Sequence, residues 1–123
     1  MDTPEEKFGE LCVRELRDAG IKHFDMLAAG RYAAKGWQPL QERLAPLDDQ
    51  TRELIRQCVI SAIECSLDAY LQALGDRAVA VLIDGKYVTF EDLEGRMWGT
   101  LGREGWIRKF SDYPDEPHRF RDR

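Results

Sequence analysis

Apolar residues in the first half of the chain recur every three or four positions, which is the period of an amphipathic helix. The first helix is predicted to begin at Thr3, because Pro4 and Glu6 follow it in the order typical of a capped helix start. We expect this helix to end at Gly20 and to bury Phe8, Leu11, Cys12, Leu16 and Ala19. Two short helices follow in the prediction, one ending at Gly30 and one containing Trp37, Leu40, Leu44 and Leu47.

The longest stretch of helical periodicity predicts one continuous helix over residues 49–74, capped by Asp48 or Asp49 and ended by Gly75. Its apolar arc is wider than a single stripe, because it also includes Ile60, Ala62 and Ala69. We therefore expect this helix to lie at the centre of the fold and to be covered on more than one side.

Beyond the long helix the pattern becomes extended. Two runs rich in β-branched and aromatic residues flank Asp84-Gly85, a dipeptide that favours a tight turn, and they predict a β-hairpin over about 78–90. The first run is almost entirely apolar, so we expect both of its faces to be covered. Residues 91–101 fit either a helix or a loop with a short strand through 96–98. Residues 106–110 are predicted to form another short strand.

These elements together predict an α+β fold, with N-terminal helices, one long central helix and a small C-terminal antiparallel sheet packed against it. The chain has 123 residues, of which 43% are hydrophobic, as expected for one globular domain. Because the last stretch holds two prolines and mostly charged residues, we expect a domain over residues 1–111 and a flexible polar tail over residues 112–123.

The net charge of −5 disfavours general nucleic-acid binding, because affinity for phosphate comes from Lys and Arg. All of this excess acidity belongs to residues 1–76, since residues 77–123 hold equal numbers of acidic and basic side chains. The first residues lack the regions of a secretory signal, and no apolar run has the length of a membrane span. We therefore expect a cytoplasmic protein that binds neither membrane nor nucleic acid.

The three cysteines contain no C-x-x-C pair, so the sequence predicts neither a disulfide framework nor a zinc site. Cys58 and Cys65 are seven residues apart on the long helix and share one face, where packed, reduced thiols are expected. The two histidines, His23 and His118, lie in unrelated contexts and form no catalytic pair.

No nucleotide-binding, metal-binding or hydrolase motif occurs in the chain, so no cofactor, metal site or catalytic residue is predicted. The chain is accordingly expected not to be an enzyme. An alternative hypothesis is a small enzyme that uses the carboxylates of Asp84, Glu91 and Asp92 near the hairpin. This hypothesis requires the three side chains to converge in a concave pocket.

Large aromatic and basic side chains are interleaved between residues 96 and 110, and both types are enriched at protein interfaces. The predicted partner-binding residues are Arg96, Trp98, Arg103, Trp106, Arg108 and Phe110. The same pattern fits a core role, in which the tryptophans seal the sheet against the long helix. It also fits a homodimer that buries Trp98 or Trp106 across a two-fold axis.

The chain resembles small uncharacterised bacterial proteins with a helical N-terminal half and a C-terminal Gly-Trp-Ile-x-Lys-Phe-Ser-x-Tyr segment. The segment that carries this resemblance is Gly105-Trp106-Ile107-Arg108-Lys109-Phe110-Ser111-Asp112-Tyr113. The resemblance implies neither an activity nor catalytic residues. Small acidic proteins of this kind are similar in character to immunity proteins that block a bacterial toxin. The predicted function is therefore non-enzymatic protein binding, as an immunity-type or regulatory partner of another bacterial protein.

Overall fold

The computed structural model is mostly helical, and it describes residues 3–77, 79–89, 93–99 and 104–114. It confirms the predicted fold class, because helices come first, a long central helix follows and a small antiparallel sheet comes after it. Within these described stretches, no helix is both long enough and apolar enough to cross a membrane.

The N-terminal helix is continuous and contains a π-helical segment in its middle. α1 (Pro4–Leu11), the π segment (Cys12–Asp18) and α2 (Ala19–Ala28) follow one another without a break. The predicted start is confirmed, because the Thr3 hydroxyl accepts a hydrogen bond of 3.1 Å from the backbone amide of Glu6.

The prediction that Gly20 ends the first helix is wrong, because Gly20 lies inside α2. Its role is close packing, since a Cβ atom at this position would lie 2.7 Å from Cδ1 of Ile63 on the long helix. The helical run ends just before Gly30, as predicted, where the backbone φ of 68° is easily adopted by glycine.

The π segment changes which side chains the helix buries. Hydrogen bonds in a π-helix run from residue i to i+5, so residues five apart lie on the same side. Two such pairs are buried, namely Cys12 with Arg17 and Val13 with Asp18. Leu11 and Leu16 form the adjacent pair, and both remain 45% exposed. The predicted buried stripe is therefore wrong at these two leucines, and also at Ala19, which is exposed.

The middle of the chain forms α3 (Gln38–Leu44) and α4 (Asp49–Asp76). The bounds of α4 lie close to the predicted 49–74, but the prediction that Gly75 ends the helix is wrong, because Gly75 lies inside α4 and the C-cap is Arg77. A short 3₁₀ turn (Lys35–Trp37) leads into α3, which buries Leu44 but leaves Leu40 49% exposed. The N-terminal cap of α4 is Asp48, as the sequence predicted.

The Asp48 cap makes the stability of α4 depend on pH. Its carboxylate accepts a 2.7 Å hydrogen bond from the backbone amide of Thr51, and this bond is the main cause that lowers the pKa of Asp48. Because the folded-state pKa lies below the unfolded value of about 3.9, the stabilisation is complete above the unfolded value. It is lost as the pH falls through the folded value.

Replacing Asp48 with Asn, which caps helices without a charge, should therefore remove this pH dependence. We expect the difference in thermal unfolding midpoint between wild type and Asp48→Asn to change between pH 7 and pH 2, with the wild type losing relative stability at low pH. Circular dichroism melts of both proteins measure this difference. A difference that stays constant across the range would contradict the assignment.

The predicted hairpin is present but short, with β1 (Leu82–Ile83) paired antiparallel to β2 (Lys86–Tyr87). Asp84 and Gly85 have φ values of 52° and 76°, the positive values that both central positions of a type I′ turn require. The expectation that both faces of the first run are covered is wrong, because Leu82 is 55% exposed.

Two short helices complete the described part of the chain, α5 (Leu93–Trp98) and α6 (Trp106–Phe110). The helical alternative is thus confirmed for residues 93–98. The strand predicted over residues 106–110 is wrong, since backbone bonds of 3.1 Å from Lys109 to Gly105 and 3.0 Å from Ser111 to Ile107 close helical turns. A four-residue spacing of aromatic residues places them on one face of a strand or of a helix, so it did not distinguish the two.

The main core lies where the N-terminal helix, the second half of α4 and the C-terminal segment meet. Its buried members are Phe8, Cys12, Val13, Leu67, Leu71, Val88, Met97, Trp106 and Ile107. A smaller cluster between α2 and α3 contains Phe24, Leu27 and Leu44. Burial in the main core raises the pKa of the Cys12 thiol to about 12, so this cysteine stays protonated and unreactive at neutral pH.

Candidate functional site

Trp106, a predicted partner-binding residue, lies in the main core with only 2% of its surface exposed. Its ring contacts Phe8 edge-on, with 6.3 Å between the ring centroids. The ring also lies directly over Gly9, because a Cβ atom there would be 2.3 Å from Cδ2 of Trp106. Trp106 therefore has the core role that the sequence pattern also allowed.

The other predicted partner-binding residues are distributed between core and surface. Trp98 and Phe110 are partly buried and pack against the main core. Arg96 is half-buried and Arg108 is exposed, whereas Arg103 lies outside the described residues. The structure thus brings the aromatic members together against the core, and the binding of a partner by this segment stays a prediction.

The carboxylates of the alternative enzyme hypothesis do not form a described site. Glu91 and Asp92 lie outside the described residues. Asp84 lies at the exposed tip of the hairpin, where a hydrogen bond and ion pair with Lys7 lower its pKa. Among the residues that the structure describes, no group of three or more His, Cys, Asp or Glu side chains is arranged to hold a metal ion.

His23 belongs to an aromatic cluster between α2 and α3. Its Nδ1 lies 2.7 Å from the hydroxyl of Tyr32, and its ring packs edge-on against Trp37 at a centroid distance of 4.7 Å. Gln41 fixes the backbone of Tyr32 by accepting from its amide at 2.8 Å and donating to its carbonyl at 3.0 Å. These contacts give His23 a role in packing, and His118 lies outside the described residues.

A buried ionic network ties the π segment to α4. Arg17 is completely buried, and its Nε donates to Oε2 of Glu64, also completely buried, at 3.1 Å. Its Nη1 donates to Asp18 at 3.2 Å and to the hydroxyl of Ser111 at 3.0 Å. Asp18 in turn accepts from the Ser111 hydroxyl and from the Asp112 amide, each at 2.7 Å. This network holds the π segment in a fixed position.

The Ser111 and Asp112 contacts come from the segment that follows α6. Asp112 begins the stretch that the sequence predicted to be a polar tail, and residues 115–123 of that stretch lie outside the described residues. Tyr113 adds a further contact between this stretch and the π segment, since its backbone carbonyl accepts a hydrogen bond of 3.3 Å from Nη1 of Arg17.

An apolar groove of about 570 Å³ lies between the N-terminal helix and α4. It is lined by Leu11, Leu16, Ala62, Ile63, Ser66, Leu67 and Tyr70. Leu11 and Leu16 are each 45% exposed and Tyr70 is 44% exposed. The described side chains that line the groove are uncharged, and only the hydroxyls of Ser66 and Tyr70 are polar. We call this feature the apolar groove.

The apolar groove continues onto an exposed face of α4. Between residues 57 and 75, the exposed residues of α4 are Cys58, Ala62, Cys65, Ser66, Ala69, Tyr70, Gln72, Ala73 and Gly75. We call this set the uncharged α4 face. In a chain with 33% charged residues, a solvated helix surface ordinarily carries charges. Asp68, the charged residue at the edge of this arc, is half-buried, so the exposed residues between 57 and 75 carry no charge. Such a scarcity of exposed charge is typical of a surface that another molecule covers.

Two expectations from the sequence are corrected on this face. The prediction that α4 is covered on more than one side is wrong here, because Ala62 and Ala69 are exposed, although Ile60 is buried. The prediction of packed thiols is wrong as well, since Cys58 and Cys65 are both free and exposed.

Sequence reasoning missed the apolar groove, because it assigned Leu11 and Leu16 to the buried stripe. Two signals could have indicated the groove, namely the five-residue spacing of these leucines and the missing charges on the outer side of α4. A comparison with models of protein families, with curated proteins and with solved structures finds no match to this chain.

Proposed function

We propose that this chain is a cytoplasmic, non-enzymatic protein-binding protein, and that its docking surface is the apolar groove with the adjacent uncharged α4 face. An immunity-type or regulatory role, in which the chain covers a surface of another bacterial protein, is the form of binding that we favour. The carrying observation is the π segment, which turns two leucines outward beside a helix face whose exposed residues are uncharged.

The energetic argument concerns these outward side chains. A π-helical segment within an α-helix is rare, and such segments occur frequently at functional sites. Here the segment leaves Leu11 and Leu16 in water, although burial of apolar surface is favourable by about 25 cal/mol per Å². A partner that covers the groove removes the surface of the two leucines from water. The burial of this apolar surface then contributes favourably to the free energy of binding.

Leu16→Arg tests this proposal, because it places a charge on the wall of the apolar groove. Leu40→Arg is the matched control, since Leu40 on α3 is a similarly exposed leucine outside the groove. Tagged wild-type protein and both variants are used to capture partners from lysate, and the captured proteins are quantified by mass spectrometry. We expect the wild type and Leu40→Arg to retain the same partner, and Leu16→Arg to retain at least about tenfold less.

If Leu16→Arg retained as much partner as the wild type, the docking surface would lie outside the groove. The absence of any protein retained above background by the wild type would contradict the proposed function itself. Circular dichroism spectra of the three proteins show whether each variant keeps the helical fold.

A further inference from the structure

We infer that a second pocket, beside the π segment, binds a small zwitterion of the free amino acid class, which carries an ammonium group and a carboxylate close together. This inference goes beyond the proposed function, because the pocket shares no lining residue with the apolar groove. The pocket has a volume of about 260 Å³, and its lining residues are Arg14, Asp18, Ala19, Lys22, Asp112 and Tyr113. We call this feature the charged pocket.

The charged pocket has two walls, which come from distant parts of the chain. The N-terminal helix supplies the first wall, along which Arg14, Asp18 and Lys22 follow one another at intervals of four residues. Asp112 and Tyr113, which follow α6, supply the second wall. The pocket therefore exists only because the C-terminal segment packs against the N-terminal helix.

The second wall is held in place without any ligand. The Asp112 amide donates to Oδ2 of Asp18 at 2.7 Å, and the Tyr113 amide donates to the Ser111 hydroxyl at 2.7 Å. The ring of Tyr113 also packs against the guanidinium of Arg56, whose Cζ lies 5.9 Å from the ring centroid. A wall that is already ordered lowers the entropic cost of binding a ligand.

The lining of the charged pocket contains unpaired charges of both signs. Lys22 and Asp112 are exposed, and neither forms an ion pair with any residue that the structure describes. Arg14 donates through Nε to the carbonyl of Phe110 at 3.1 Å, and its Nη1 pairs with Glu10 at 3.3 Å. Its Nη2 forms no hydrogen bond with a described residue. The pocket thus offers two cationic donors and one carboxylate that accepts.

These unpaired groups determine the charge of the ligand. An anion would be repelled by the carboxylate of Asp112, and a cation would be repelled by Lys22 and Arg14. A zwitterion satisfies both signs, because its carboxylate accepts from Lys22 and Arg14 while its ammonium group donates to Asp112. Hydrogen bonds between charged groups are shorter and stronger than those between neutral groups.

The volume of the charged pocket determines the size of the ligand. Pockets that hold drug-sized molecules usually measure about 300–1,000 Å³, so a pocket of about 260 Å³ favours a smaller molecule. In a free amino acid the two charged groups are attached to the same carbon atom, and one side chain remains. That side chain would lie against Ala19 and Tyr113, the uncharged part of the lining.

An NMR titration of the isotope-labelled full chain at pH 7 tests the inference. The probes are glycine, L-leucine and L-phenylalanine, which share the zwitterion and differ in the size of the side chain. We expect the tightest of the three to cause saturable changes in the amide shifts of residues 14–22 and 112–113, with a dissociation constant below about 10 mM. Its N-acetyl derivative lacks the ammonium group and its amide lacks the carboxylate, so each should bind at least about tenfold more weakly.

Two substitutions test the assigned charges. Lys22→Gln and Asp112→Asn each remove one unpaired charge from the pocket, and each should weaken binding of the tightest probe at least about tenfold. The matched controls are Lys35→Gln and Asp76→Asn, because these residues are also exposed, form no ion pair with a described residue and lie outside the pocket. The controls should bind as the wild type does. All four positions are exposed, so the variants keep the fold.

A wild type that shows no saturable shift changes with any probe up to about 30 mM would overturn the inference. So would derivatives with a single charged group that bind as tightly as the parent amino acid, or pocket variants that bind as tightly as their matched controls. Shift changes confined to the residues that line the apolar groove would also overturn it, because the ligand would then lie in the groove. None of these results changes what Leu16→Arg captures from lysate, so the proposed function stands or fails separately.

Discussion

Replacing Trp106 with alanine is expected to lower the free energy of unfolding by about 3–5 kcal/mol. The side chain is 2% exposed, it packs against Phe8, and its ring fills the space above Gly9. Removing it leaves a cavity that rigid backbone on the N-terminal helix cannot close. Urea denaturation followed by circular dichroism measures the loss without depending on tryptophan fluorescence.

Tyr87→Ala is the control for Trp106→Ala, because Tyr87 is an aromatic residue that is 68% exposed. We expect this control to change stability by about 0.5 kcal/mol or less. A Trp106→Ala variant that loses less than about 1 kcal/mol would contradict the core role. If such a variant also became monomeric where the wild type is a dimer, Trp106 would be the interface residue of the alternative two-fold arrangement.

The features that the sequence predicted correctly depend on neighbouring residues. Asp48 caps α4 because its side chain accepts a hydrogen bond from the backbone amide three residues later. Asp84 and Gly85 form the tight turn of the hairpin because both residues adopt positive φ values. Neither feature needs a contact from a distant part of the chain. The start of α4 and the position of the hairpin followed from such local signals.

The errors arose where distant contacts decide the local structure. Gly20 is a common helix terminator, yet here it sits inside a helix because Ile63, far along the chain, packs against it. Residues 106–110 form a helix that buries Trp106 and Ile107 on the N-terminal helix. The spacing of their aromatic residues fits a strand equally well, so no local signal distinguishes the two forms.

Helical periodicity alone did not predict the apolar groove, because the groove depends on the π segment. Periodicity of 3.6 residues places Leu11 and Leu16 near the buried stripe, and it assigns Arg17 and Asp18 to the solvent side. The observed arrangement is the reverse, because Arg17 donates hydrogen bonds to Glu64 on α4 and to Ser111 in the interior, and Asp18 accepts one from Ser111. The exposure of Leu11 and Leu16 and the burial of Arg17 and Asp18 thus have the same cause, which is the π segment.

Breaking the buried ion pair should therefore have a large effect on stability. Arg17→Met removes the cation and leaves the carboxylates of Glu64 and Asp18 buried without their arginine, at an expected cost of about 3–5 kcal/mol. The double variant Arg17→Met/Glu64→Leu also removes one of the stranded carboxylates. Because apolar side chains often replace a buried ion pair with little loss of stability, we expect the double variant to be more stable than Arg17→Met alone.

Urea denaturation of four proteins gives the coupling free energy between Arg17 and Glu64. The four are the wild type, Arg17→Met, Glu64→Leu and the double variant. A coupling of about 0.5–3 kcal/mol is expected for residues in direct contact. Strictly additive losses would mean that the two charges do not interact, and that other contacts hold the π segment in place. In that case the outward position of Leu11 and Leu16 would no longer depend on the buried charges, and the apolar groove would survive their removal.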